Sequence, residues 1–239
     1  MRTAVFSKDY EGVDYERFWT GPGKQYLDRL EQKILRHTLP GGESIVEIGS
    51  GFGRLAPCYL DRYREVHMVE PASNLRELAI NTFGDRAHYY DASVYELPFA
   101  DNSFDTALMV RVFHHLHNSE AALRELHRIL RPGGTLIVSY SNLHNPGRIV
   151  RFLMGRVPNP FASDKQAYAA DLFGHAPGHM RAMLKQSGFA LRAQYATCIL
   201  SPIINRVPVL GRFDPPLSLE RALGAVDVAP AVFVIAQKR

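Results

Sequence analysis

The 239-residue chain is poor in cysteine, with only Cys58 and Cys198. Two cysteines exclude a disulfide framework, and no zinc-type spacing surrounds them. Both read as small buried hydrophobes rather than a redox pair. Long apolar runs are also missing, and none approaches the roughly 18 residues of a membrane span. The stretch from Met1 to Asp9 holds no apolar core of the secretory kind, so the expected location is the cytoplasm. Internal repeats and low-complexity tracts are absent, which excludes solenoid and disordered architectures. With 46% hydrophobic and 22% charged residues, the composition is that of an ordinary globular protein.

A formal net charge of +4 points at first to nucleic acid or an anionic surface. The sum conceals a division. Residues 1–143 hold 16 Lys/Arg against 19 Asp/Glu, whereas residues 144–239 hold 12 against 5. The excess positive charge belongs to the second part alone.

Apolar periodicity predicts a helix over 24–38, with Leu27, Leu30, Ile34 and Leu35 on one stripe and Pro40-Gly41-Gly42 as its stop. The run Ser44 to Ile48 predicts a buried strand, Gly49 to Gly53 a tight turn, and residues 54–64 a helix with Pro57 in its first turn. Strands follow at 66–70, 87–90, 106–110 and 135–140. Helices are expected at 73–82 and 119–130, the latter capped by Ser119 and ended by Pro132-Gly133-Gly134. Beyond 142 the rhythm breaks into a proline-rich stretch (144–176), a helix (177–187), a strand (189–197), a second irregular stretch (200–228) and a last strand at 231–236. Alternating strands and helices predict an α/β fold, a doubly wound and mostly parallel sheet covered on both faces.

The central motif is Glu47-Ile48-Gly49-Ser50-Gly51-Phe52-Gly53. Glycines at a strand-to-helix turn allow positive φ and close approach of a ligand, and a helix N-terminus would offer free N–H groups. A dinucleotide fingerprint requires a glycine at position 54, which is Arg54. Four further stretches accompany the loop: Glu70-Pro71, the segment Leu97-Pro98-Phe99-Ala100-Asp101-Asn102-Ser103-Phe104-Asp105, the helix end Leu126 to Gly134, and Ser187-Gly188-Phe189. Together with Asp91-Ala92, this set resembles the class I S-adenosylmethionine-dependent methyltransferases, in the branch that includes quinone- and biotin-pathway enzymes. The resemblance is strong over 44–142 and weaker over 177–199 and 230–238.

The resemblance implies a Rossmann-like sheet of order 3-2-1-4-5-7-6 with its seventh strand antiparallel. It implies one domain over 1–239, an N-terminal lid at 1–40 carrying Tyr10, Tyr15, Phe18, Trp19 and Tyr26, and cap insertions at 144–176 and 200–228. The alternative for the aromatic arm is a helix simply packed on the body. The implied cofactor is S-adenosylmethionine, with S-adenosylhomocysteine as product. Glu47, Gly49, Ser50, Gly51 and Gly53 would approach its methionine end. Glu70 suits the ribose diol as a charge-assisted acceptor, Pro71 the adenine face, and Asp91 and Ala92 the adenine edge. A backbone carbonyl at Val110 or Arg111 would take the cofactor's amine.

Methyl transfer from a sulfonium needs alignment above all, and a general base only where the nucleophile starts protonated. His114 and His115, after the fourth strand, and His175 are the candidate bases, with a purely structural role as the alternative for His115. No metal is expected, because the carboxylates such a site wants are missing from Val110-Arg111-Val112-Phe113.

The insertions pair Arg148, Arg151, Arg156, Arg206 and Arg212 with Ile, Val, Leu, Phe and Met. Three readings stay open: a cap lining the substrate pocket, a peripheral membrane contact, or a dimer contact or solvated face. The function expected is methyl transfer to a small-molecule acceptor that is apolar and anionic, by a monomer or homodimer. The alternatives are an RNA or protein methyltransferase, disfavoured for nucleic acid by the sequence after the fourth strand, and a catalytically silent cofactor-binding protein.

Overall fold

The structure is a computed structural model that describes residues 15–169, 172–212 and 214–239. Tyr10 lies outside the described residues. Helix α1 (Pro22–Thr38) starts on a proline at its first position and buries Tyr26, Leu27, Leu30, Ile34 and Leu35. Strand β1 (Gly42–Ile48) feeds the glycine turn and β2 (Tyr63–Val69) leads to α2 (Ser73–Phe83). Strands β3 (His88–Tyr90) and β4 (Phe104–Met109) follow, then α3 (Ser119–Ile129) and the long β5 (Leu130–Ser141). The first insertion contains α4 (Pro146–Leu153) and a hairpin of β6 (Lys165–Ala169) and β7 (Leu172–His175). Helix α5 (Pro177–Gln186) and β8 (Phe189–Thr197) return to the body. The second insertion holds α6 (Ser201–Ile204) and α7 (Leu217–Ala225), and β9 (Ala231–Lys238) closes the sheet.

The seven-stranded sheet has the order β3-β2-β1-β4-β5-β9-β8. With the separate β6–β7 hairpin set aside, this is the expected order. Strands β1 to β5 pair in parallel, and β9 runs antiparallel to both its neighbours. Neighbouring residues divide between two cores. Val46, Ala107, Val138 and Val234 join one face with Leu123, Leu126 and Met180. Ile45, Leu108, Ile137 and Phe233 join the other with Leu30 and Ile34. Burial on both faces is why these strands read as unbroken apolar runs.

Three expectations need correction. Residues 54–64 are not a helix but a chain of turns with a short 3-10 stretch at Ala56–Cys58. Pro57 lacks the N–H that would return to Gly53, and the chain must reverse before entering β2 at Tyr63. The cap of α3 is Asn118, whose Oδ1 accepts from the Ala121 N–H at 3.0 Å, not Ser119. Strand β5 begins at Leu130, so Pro132-Gly133-Gly134 lies inside it rather than before it. The two cysteines are free, Cys58 buried and Cys198 half-buried.

Helix α7 lies directly on the β8 backbone. A Cβ at Gly224 would stand 2.8 Å from the Gln194 carbonyl and the Tyr195 nitrogen. Gly178, in the first turn of α5, has open space around the same position. Gly224→Ala is expected to lower stability by about 1–3 kcal/mol, and Gly178→Ala to raise it by up to about 1 kcal/mol. Urea denaturation of the two variants checks the pair of opposite signs.

Candidate functional site

The glycine turn folds back onto the end of β2. The Gly49 and Ser50 N–H groups donate to the Val69 carbonyl at 2.8 and 3.2 Å, and Gly53 N–H donates to the Ser50 carbonyl at 3.0 Å. Gly51 N–H donates to Glu70 Oε2 at 2.8 Å. The turn therefore spends these amides inside the protein, and no helix N-terminus stands behind it. Gly49, Gly51 and Gly53 all have positive φ (68°, 57° and 81°). Side chains crowd the space over two of them, Val112 at Gly49 and Phe83 at Gly53. Over Gly51 nothing lies within 4 Å, so this is where the backbone is open to a ligand. Beside it, Ser50 Oγ is buried without a hydrogen-bond partner, an arrangement that folded proteins rarely leave unless a ligand or water completes it.

The groups around the opening are acceptors. Glu47 is buried at the end of β1 and accepts from Tyr59 Oη. Burial pushes its carboxyl up to about 8, against the pull of Tyr59 and Arg54. Glu70 is buried after β2; its second oxygen accepts from the Ala72 N–H at 2.9 Å. Burial raises its carboxyl too, opposed by the two amide hydrogen bonds. Each Glu70 oxygen keeps a lone pair for further donors. Pro71 and Ala92 are half-buried, and Asp91 is exposed after β3. Arg76, which the sequence reading did not single out, ties these ends together. Its guanidinium donates to the Glu70 carbonyl at 2.6 Å and the Pro71 carbonyl at 3.2 Å, and reaches Asp91 Oδ2 at 3.5 Å. Val110 is buried after β4, and Arg111 adopts a left-handed φ of 62° with its N–H held by Ser139 Oγ at 2.8 Å.

A second tie closes the site from above. Glu31, on α1, is buried to within 2% of its side chain and pairs with both Arg54 of the glycine turn and Arg111, the latter at 3.6 Å. Asp28, one turn earlier, also holds Arg54. Trp19 lies on the Arg54 guanidinium, 3.8 Å from ring centroid to Cζ, and Tyr15 meets Phe52 edge-on at 6.3 Å. The aromatic arm thus packs directly over the glycine turn. A signal for Glu31 existed in the sequence: at helical spacing from Leu27, Ile34 and Leu35, it stands on the apolar stripe itself.

Carboxyl groups at the mouth suit a ligand that donates hydrogen bonds, and a positive charge on it would draw Glu47 toward its ionised form. Residues 46–138 match a family model described as a methyltransferase domain. An uncharacterized methyltransferase of Geobacillus kaustophilus is 30% identical over 128 residues, which cover 52% of this chain and 60% of that protein. An O-methyltransferase of Aspergillus nomiae is 26% identical over 204 residues, 78% of this chain and 84% of the relative. Among solved structures, a SAM-dependent methyltransferase from Thermotoga maritima shares the fold with a TM-score of 0.66, at 22% identity and 95% coverage of both chains. Residues 46–138 therefore form a methyltransferase domain.

The Thermotoga maritima protein is described as SAM-dependent, and the acceptors at the mouth of the present site fit the ribose diol, adenine amine and cationic methionine end of S-adenosylmethionine. The fold brings only some of the expected catalytic residues to the opening. His114 and His115 stand together after β4, ring centroids 4.3 Å apart. Burial, then His115, Arg111 and Lys24, lowers His114 to about 2, so in the free chain it is a neutral hydrogen-bonding group rather than a poised base. His175 is sealed from solvent behind Phe113, with Nε2 3.4 Å from Ser119 Oγ. Lys24 was not foreseen. Its ammonium lies 3.7 Å from the Phe18 ring centroid, and burial together with Arg111 pulls it down to about 8. One group among the described residues has metal-ligand chemistry, Glu65, His67 and His88 on β2 and β3. It sits short of the strand ends, apart from the glycine turn, with His67 held by Tyr90 Oη at 2.9 Å.

Two outcomes are expected. Glu31→Ala leaves Arg54 and Arg111 without their shared counter-charge and lowers stability by about 3–5 kcal/mol, read by urea denaturation. Glu47 titrates from an ordinary 4.5 to about 8 in the fold. Over that window the native state binds more protons, so stability falls as pH rises from about 4.5 to about 8. Glu47→Gln should flatten this part of the melting temperature against pH profile.

Proposed function

We propose that the chain transfers a methyl group from S-adenosylmethionine to a small-molecule acceptor. The observation that carries the reading is the single open position over Gly51, flanked by the unpartnered Ser50 Oγ and the carboxyls of Glu47 and Glu70. When bound, the cofactor supplies a methyl group whose bond to sulfur breaks, the electron pair staying on sulfur, as the acceptor's lone pair bonds to the carbon. The protein's task is then alignment and exclusion of water, which is worth roughly 7–11 kcal/mol of barrier. In this reading Glu70 takes the ribose hydroxyls, Pro71 covers the adenine face, and Asp91 and the Ala92 backbone take the adenine edge. Glu47 faces the cationic end, and the Val110 or Arg111 carbonyl takes the amine. The arm bearing Tyr15, Phe18 and Trp19 acts as a lid.

The acceptor enters past the end of β4, where Lys24, Arg111 and His114 lie. Two cations, one of them strained toward its neutral form by burial, favour an acceptor with negative charge.

Thermal shift separates this reading from its rivals. S-adenosylhomocysteine should raise the melting temperature and NAD should not; the reverse result rejects the proposal. Gly51→Ala is the sharpest variant. Its Cβ meets nothing in the free chain, so folding bears only the left-handed strain of about 1–2 kcal/mol, while the shift with S-adenosylhomocysteine should vanish. Glu70→Ala should remove most of it. Release of S-adenosylhomocysteine across a panel of small acids and phenols tests transfer itself; a bound cofactor with no turnover on any acceptor, nor on RNA or protein, marks a silent binding protein.

A further inference from the structure

Helix α4 is amphipathic in sequence but buries none of its residues. Ile149 and Phe152 are half-buried, while the outer face and the turn beyond it place apolar side chains in water. Leu153 is 76% exposed, Phe161 57%, and Val150 and Met154 54% each. Arg151 and Arg156 are exposed between them. From 144 to 163 the chain has three arginines and no carboxylate, and the first acid is Asp164.

The second insertion repeats the pattern. Residues 200–212 carry Arg206 and Arg212 without a carboxylate, and expose Ile203, Val207, Val209 and Leu210. Both stretches follow strands that end at one edge of the sheet, and the second then packs on α1, where Asn205 Oδ1 accepts from the Gly23 N–H at 2.9 Å. β5 and β8 are each antiparallel to β9, so they run in the same direction with one strand between them. Their following segments leave the same edge of the sheet from strands about 10 Å apart. β1, β2 and β4 end at that edge as well, so the glycine turn opens there.

We propose that this edge docks on an anionic lipid bilayer. Leu153, Met154 and Phe161 enter the boundary between headgroups and acyl chains, and Arg151 and Arg156 lie along the phosphates with their stems on the apolar surface. The charge decides the occupant. A second copy docked by a two-fold axis would bring arginine against arginine, with no carboxylate in either stretch to offset them. A surface of lipid phosphates answers the same arginines.

The full chain is sedimented with vesicles of phosphatidylcholine alone, or with about one third phosphatidylglycerol. Pelleting is expected with the mixed vesicles and not with the neutral ones, and should fall as salt rises. Arg151→Gln with Arg156→Gln should weaken partition about fivefold per arginine, about 25-fold together. Leu153→Ser with Phe161→Ser should weaken it at least about tenfold. Both pairs lie on the surface and should keep the wild-type melting temperature. Absence of pelleting, equal pelleting on neutral vesicles, or full binding by both variants overturns the proposal. So does a dimer in solution that the Leu153→Ser, Phe161→Ser chain converts to monomer, which assigns the face to a second copy.

Discussion

The buried Glu31 carboxylate is the constraint on which the site's shape depends. A carboxylate this deep persists only with counter-charges, and it has two, Arg54 and Arg111. One belongs to the glycine turn and the other to the chain after β4, so a single residue of α1 fixes the distance between the two walls of the crevice. Trp19 then lies over Arg54, so carboxylates and an aromatic ring together hold the guanidinium. Breaking the tie would release the arm, the turn and the strained Arg111 backbone at once. The residue that spoils the dinucleotide glycine pattern is therefore also the residue that anchors the cover.

The glycine turn is built differently from a phosphate loop. Amides that a phosphate loop would aim outward are here bonded to Val69, Ser50 and Glu70. The turn offers space and a carboxylate instead of donors. In the proposed reading electrostatics alone would separate a ligand with hydroxyls and cations from one with phosphates, even though both are served by glycine turns at the same place in similar sheets.

Much of this was legible in the sequence, for identifiable reasons. Strands buried on both faces leave an unmistakable run such as Ile45-Val46-Glu47-Ile48, and parallel pairing with crossover helices constrains their order. Glu47, Glu70 and the three glycines announced themselves because their chemistry is conspicuous at a strand end. The helix expected at 54–64 failed because apolar spacing does not show how soon a chain must turn; Pro57 and the entry of β2 at Tyr63 decided that. The cap of α3 was misplaced by one residue because Asn118 and Ser119 are both good caps and only the tertiary partner, His175, draws Ser119 away. Arg76 and Lys24 gave no local signal. Their roles come from which strand ends and helices meet, and a long flexible side chain looks the same in sequence wherever its tip arrives.

The placement of β9 has a temporal consequence. β1 to β5 can each find a partner among segments already made, since every pairing among them uses earlier or adjacent strands. β8 cannot, because among the described residues its only sheet neighbour is β9. Until residues 231–238 leave the ribosome, β5 presents a long unpaired apolar edge and β8 waits beside it without a hydrogen-bonding partner. An open edge of that kind invites pairing with another chain. Strand β9 is thus the keystone of the sheet, and until it emerges the nascent chain is exposed to such pairing.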